Sequence, residues 1–164
     1  MRLLVAVLIY CVVSTAVRAD YDSGVLAYES GRYDIALEEF NLFSERGDPR
    51  AQFMLGAMYF HGKGVPQNDG FASIWFHKSA IQGHSGAQLA YGSLHIRGVG
   101  VAQDLIRAYV WLSLAIDSNV PGLRHQAVLL RDDAARLMSP EQISDARIRA
   151  GKWHPTLARL WIGR

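Results

Sequence analysis

One stretch of this chain is written twice, and that repetition limits the fold more than any other feature. Residues 51 to 82 read AQFMLGAMYFHGKGVPQNDGFASIWFHKSAIQ, and residues 87 to 118 read AQLAYGSLHIRGVGVAQDLIRAYVWLSLAIDS, at an offset of 36. Ala51 returns as Ala87, Gly56 as Gly92, Gly62 as Gly98, Gly64 as Gly100, Val65 as Val101, Gln67 as Gln103, Ala72 as Ala108 and Trp75 as Trp111. A period of this length marks stacked supersecondary units, each of which buries its apolar face only against a neighbour.

Ala51, Leu55, Gly56 and Tyr59 lie at helical spacing. Gly56 and Gly92 fall inside helices, where glycine costs about 1 kcal/mol relative to alanine. That cost predicts a second helix crossing so close that only a hydrogen fits. The motif G-x-G-V-x-x-[ND] follows, with Gly62 and Gly64 freeing the backbone for a tight turn and Val65 filling the gap between helices. Asn68 or Asp69, and Asp104 one unit on, are placed to cap the next helix. That helix carries Ala72, Trp75 and Phe76, then Ala108, Trp111 and Leu112 in the second copy, and it ends near Gln82, read as facing solvent.

Taken together, A-x-x-x-[LY]-G, G-x-G-V-x-x-[ND] and A-x-x-W resemble the Sel1-like repeat, a relative of the tetratricopeptide repeat. The resemblance covers residues 47 to 118 and departs at His95, where the family usually has the tyrosine seen at Tyr59, and at Gly70 and Ser79, where alanine is more usual. It implies an all-α fold, a right-handed α-α solenoid of antiparallel helix pairs. Some secreted relatives are cysteine-rich, and that subgroup is not matched: the single cysteine is Cys11.

The chain opens MRLLVAVLIYCVVSTAVRAD, with an apolar run from Leu3 to Val17 and small residues before Asp20. This reads as a signal peptide over 1–19, cleaved before Asp20, and predicts a periplasmic or secreted protein. The alternative is an uncleaved signal anchor, against which the short run argues. Cys11 lacks the small preceding residue of a lipobox. Of 17 basic and 15 acidic residues, Arg2 and Arg18 would leave with the leader, so the remainder is formally neutral and no nucleic-acid partner is indicated. Charge is uneven along the chain: residues 20 to 48 hold eight acids and two bases, and residues 120 to 164 four acids and eight bases. Such a gradient suits end-to-end orientation or a charged partner at one end, or simply two solvated faces.

Residues 20–47 read as a shorter, tetratricopeptide-like first pair, with helices near 21–30 and 34–46, the second burying Ile35, Leu37, Phe40 and Phe43. Two full repeats follow at 48–83 and 84–119, the first opened by Asp48-Pro49. Residues 120–151 form a C-terminal capping pair. Its first helix carries Leu123, Ala127, Leu130, Ala134 and Leu137 on one stripe. Its second begins at Ser139-Pro140-Glu141-Gln142, a capping box, and turns Ile143, Ala146 and Ala150 inward. The amphipathic tail 152–164 places Trp153, Leu157, Leu160 and Trp161 on a stripe that either folds back or docks on a partner or membrane surface.

No catalytic pattern emerges. The histidines at 61, 77, 84, 95, 125 and 154 include no pair at a spacing of four, no H-E-x-x-H is present, and Ser113, Ser118 and Ser139 lack a G-x-S-x-G setting. The paired glycines have no lysine-serine partner for phosphate. The reading is therefore a non-catalytic module with no cofactor and no metal, whose partner is another protein or peptide.

By the resemblance, the first helix of each pair lines a concave face. Register against Gly24, Gly56 and Gly92 points Tyr21, Val25, Tyr28 and Glu29, then Arg50, Phe53, Ala57, Phe60 and His61, then Leu89, Ser93, Ile96 and Arg97 into it. These residues either receive a peptide or amphipathic helix, or pack against neighbouring helices. Family relatives in cell envelopes serve as assembly factors or adaptors. An immunity protein against a toxic effector is the nearest alternative, and a cell-envelope hydrolase the alternative of another class.

Overall fold

The computed structural model describes residues 21–154. The leader, its cleavage site and Cys11 lie outside the described residues, as do Leu157, Leu160 and Trp161 of the tail. Eight helices follow one another: α1 (Tyr21–Glu29), α2 (Tyr33–Glu45), α3 (Pro49–His61), α4 (Asp69–Ala80), α5 (Ser85–Arg97), α6 (Leu105–Ala115), α7 (Pro121–Ala135) and α8 (Pro140–Lys152). The described residues contain no strand, and no helix among them is long and apolar enough to cross a membrane.

Chemistry written in the sequence starts and stops these helices. The carboxylate of Asp48 accepts from Arg50 N at 2.8 Å, the amide oxygen of Asn68 from Phe71 N at 2.9 Å, and Asp104 from Arg107 N at 2.9 Å. Ser139 and Gln142 form a reciprocal capping box at the start of α8. At the other end, Gly62 and Gly98 stop α3 and α5 at the same left-handed geometry, φ 66 and ψ 34. An L side chain there would meet its own carbonyl, so glycine ends both helices.

The three leading pairs, α1–α2, α3–α4 and α5–α6, cross at a glycine. A Cβ on Gly56 would lie 2.6 Å from Phe76 Cδ1, one on Gly92 2.8 Å from Leu112 Cγ, and one on Gly24 2.8 Å from Phe40 Cε1. Each helix also packs on its chain neighbours up to α6. The core follows this path. Phe40, Leu55 and Met58 are buried with Ala27, Ala36 and Ala51 at the first junction, and Phe76 with Ala72 and Leu94 at the second.

The turns join successive units. Gly64 abuts Tyr33 at the start of α2, and Gly100, 36 residues on, abuts the Asp69 carbonyl at the start of α4. Ser73 Oγ donates to the Gly100 carbonyl at 3.2 Å. A second set of ties was not foreseen. Gln52 Nε2 donates to the Ser44 carbonyl at 3.3 Å, and Gln88 Nε2 to the Ala80 carbonyl at 3.2 Å, so a buried glutamine in the first turn of α3 and α5 satisfies the last turn of the preceding helix.

Some expectations change. Ile35 and Leu137 are exposed, at 38% and 71%, because the faces of α1–α2 and α7–α8 away from the core have no neighbour among the described residues. Gln82 is exposed yet tied: its Nε2 donates to Gln52 Oε1 at 2.7 Å. Ser79 in place of alanine is fully buried, and its hydroxyl donates to the Pro49 carbonyl at 2.6 Å. Finally, α7 and α8 both lie across α6 rather than chiefly on each other, closing over Tyr109, Leu105 and Ile106 through Met138, Ile143 and Ala146.

Candidate functional site

The first helices of successive pairs touch one another through the side chains singled out from the sequence. The guanidinium of Arg50 on α3 lies 4.3 Å from the ring of Tyr21 on α1. Phe53 on α3 sits 4.8 Å from the His84 ring at the head of α5, and Arg97 at the end of α5 lies 5.7 Å from the Phe60 ring. The structure therefore brings Tyr21, Arg50, Phe53, Phe60 and Arg97 together across three helices. His61 stands edge-on to Phe60 at 5.1 Å and is exposed. Leu89, Ser93 and Ile96 lie along α5 and are half-buried.

Tyr28 is placed differently. It packs edge-on against Tyr33 at 5.4 Å, and the Lys63 ammonium approaches both rings, so it belongs to the junction of α1, α2 and the first glycine turn. Phe53 and Phe60 are also less free than a pure binding row would be. Their rings lie 5.7 and 6.4 Å from buried Phe76, so each packs on the core while staying half-buried.

Electrostatics separates the two ends of this face. At the head of α3 the Arg50 guanidinium hydrogen-bonds Asp48, which holds that carboxyl below its usual range. At the matching position 36 residues on, the cap of α5 is His84, whose Nδ1 accepts from Ala87 N at 3.1 Å. That bond requires a neutral ring, and burial against Phe53 lowers the His84 pKa accordingly. The offset that pairs Asp48 with His84 was legible in the sequence, as was the pairing of Gln52 with Gln88; neither was singled out, because polar residues seldom carry a repeat signature.

A second aromatic group lies on the other side of α5. Tyr91 packs on His77 at 5.0 Å, His95 at 4.7 Å and Trp111 at 5.6 Å, and Trp153 at the end of α8 reaches Trp111 at 6.5 Å. His95 Nδ1–H donates to the Ala102 carbonyl at 3.1 Å, while its buried Nε2 has no partner. Burial lowers the pKa of both His77 and His95. Among the described residues no three His, Cys, Asp or Glu side chains gather where they could hold a metal ion.

Known proteins agree with this architecture. The Sel1 repeat model matches residues 49–84 and 85–120. A protective antigen present in uropathogenic Escherichia coli strains, displaying an SLR fold, superposes with a TM-score of 0.75 at 26% identity over 88% of this chain and 32% of its own. A Sel1 repeat protein from Oxalobacter formigenes superposes with a TM-score of 0.58 at 22% identity, over 80% of this chain and 57% of its own. This chain thus spans about a third of the first protein's length and little more than half of the second's. No curated protein matches its sequence. Sel1 repeats are generally protein-interaction modules on a fold that is typically a non-catalytic scaffold. With the duplicated glycine turns, the crossings at Gly56 and Gly92 and the two matched segments in agreement, the chain carries two Sel1 repeats in an all-α solenoid of the Sel1-like type.

Proposed function

We propose that this protein is a non-catalytic adaptor or assembly factor of the cell envelope that receives a segment of a partner protein along the face formed by α3 and α5. The observation that carries the reading is the row Phe53, Phe60, Arg97: two half-buried rings braced from below by Phe76, with an exposed guanidinium over the second. Rings held rigidly from beneath lose little side-chain entropy when a partner covers them, and aromatic and arginine side chains dominate interface energies. The leader sequence supports an envelope location.

A photo-crosslinking residue separates this face from the rest. Placed at His61 or Ser93, it should trap a partner in living cells; placed at Ile74, exposed on α4, it should not. Equal trapping at all three positions, or at Ile74 alone, would move the site elsewhere. Arg97→Glu should weaken capture by about tenfold while leaving the melting temperature unchanged, since the side chain is exposed. Export is tested separately: protein from the periplasmic fraction should begin at Asp20, and an intact mass retaining Met1 would refute cleavage there.

A further inference from the structure

The two ends of the solenoid carry opposite charge around exposed apolar side chains. On α1, Gly24 and Ala27 face the core, and the opposite stripe presents Asp22, Leu26 and Glu29 to solvent. On α2, with Ala36, Phe40 and Ser44 buried, the opposite stripe presents Asp34, Ile35, Glu38 and Glu45. Leu26 is 63% exposed. Residues 21 to 45 hold six carboxylates and one arginine, and among the described residues none of the five exposed carboxylates has a cation within ion-pair distance. Like charge around exposed leucine and isoleucine works against the isolated pair through self-repulsion.

At the far end the pattern is inverted. Helices α7 and α8 turn Ala127, Ala134 and Ala146 inward and leave Leu129 and Ile148 exposed, at 52% and 53%, on their outer sides. Residues 121 to 152 hold six cations and four carboxylates. Three of the four carboxylates pair with nearby arginines. Among the described residues Arg124 and Arg147 have no carboxylate partner but donate to the Ile116 and Ser118 carbonyls and to the Tyr109 hydroxyl, and Lys152 has no carboxylate partner. Both ends are therefore half of a junction, apolar at the centre and charged at the rim, with complementary signs.

We propose that the α1–α2 end of one copy docks on the α7–α8 end of a second copy, so that the protein associates head to tail. A solenoid buries each unit against the next, and among the described residues no unit packs on the outer side of the first pair or of the last helices. Because two different surfaces meet, the contact does not exhaust itself in a dimer: copies continue into a chain or close into a ring. The junction uses none of the residues of the α3–α5 face, so partner binding there and self-association stand or fall separately.

Sedimentation of protein purified from cells expressing the full-length sequence tests this. Mass should rise with concentration at about 50 mM salt, and association should be about tenfold weaker at about 500 mM, where charge is screened within a few ångströms. Glu38→Arg should block one end and Ile148→Glu the other, each leaving a monomer; both sites are exposed, and circular dichroism checks that each variant folds. Mixed in equal amounts, the two should form a one-to-one dimer and nothing larger, because each keeps one sound end. Should either variant misfold, Glu45→Arg and Lys152→Glu replace it. A wild-type protein monomeric at all concentrations overturns the proposal, as does association that neither substitution disturbs. A mixture that stays monomeric overturns it too, because a sound α1–α2 end and a sound α7–α8 end would then fail to bind each other.

Discussion

At the scale of the residue, two glycines with similar backbone angles make different demands. Gly31 and Gly100 have φ of 76° and 66°, but around Gly31 a Cβ would meet nothing within 4 Å, whereas at Gly100 it would overlap the Asp69 carbonyl. Gly31→Ala should cost only the left-handed penalty, about 1–2 kcal/mol. Gly100→Ala adds a clash with backbone that cannot rotate away and should cost at least about 3 kcal/mol by urea unfolding. Similar losses for both would mean that the turn does not press on α4. Protonation is the other effect at this scale. Burial lowers the pKa values of His77, His84 and His95 in the folded protein. As pH falls below about 6.5, the unfolded chain therefore takes up protons before the folded one, and stability is lost with falling pH at up to about 1.4 kcal/mol per unit per histidine. The loss levels off below the folded pKa values. His84→Asp copies the Asp48 cap and should flatten the dependence of melting temperature on pH between about 7 and 5; an unchanged slope would remove His84 from this account.

At the scale of the element, stacking depends on polar ties as well as on apolar burial. Gln88 is 2% exposed and donates to the Ala80 carbonyl, which also accepts from Gly83 N at 2.9 Å, so Gln88→Ala removes one of two bonds and should cost about 0.5–1.5 kcal/mol. Gln52 and Gln82 are joined at 2.7 Å from α3 to the end of α4, and a double-mutant cycle between them should show about 0.5–1.5 kcal/mol of coupling. Additive losses would mean that the bond seen between them contributes nothing. The crossing at Gly56 is a stricter test of helix pairing: Gly56→Val places carbon against the Phe76 ring and should destabilise by about 1–3 kcal/mol. Wild-type melting of that variant would refute close crossing.

Across the whole molecule, α3 to α6 have neighbours on both sides, while α1 and α8 lie at the ends. Opening free energy in a stacked array follows the number of neighbours lost. Amide exchange should therefore be slowest in α3–α6 and fastest in α1 and α8. Equal protection throughout would show a single cooperative block.

Helices, caps, turns and the 36-residue stacking were legible in the chain because each rests on local spacing: glycine where a helix must end or be crossed, Asp48, Asn68, Asp104 and Ser139 where one must begin. Register against the glycines placed Tyr21, Arg50, Phe53, Phe60 and Arg97 on the leading helices, where Tyr21 meets Arg50 and Phe60 meets Arg97 across neighbouring pairs. What the chain alone left undecided were contacts between residues far apart in sequence. That Phe53 and Phe60 rest on Phe76, that Ser79 reaches Pro49, and that α7 and α8 share α6 depend on how whole helices settle against one another. Helical periodicity tells which side of a helix is apolar; only tertiary packing decides which neighbour covers that side and whether any of it remains open.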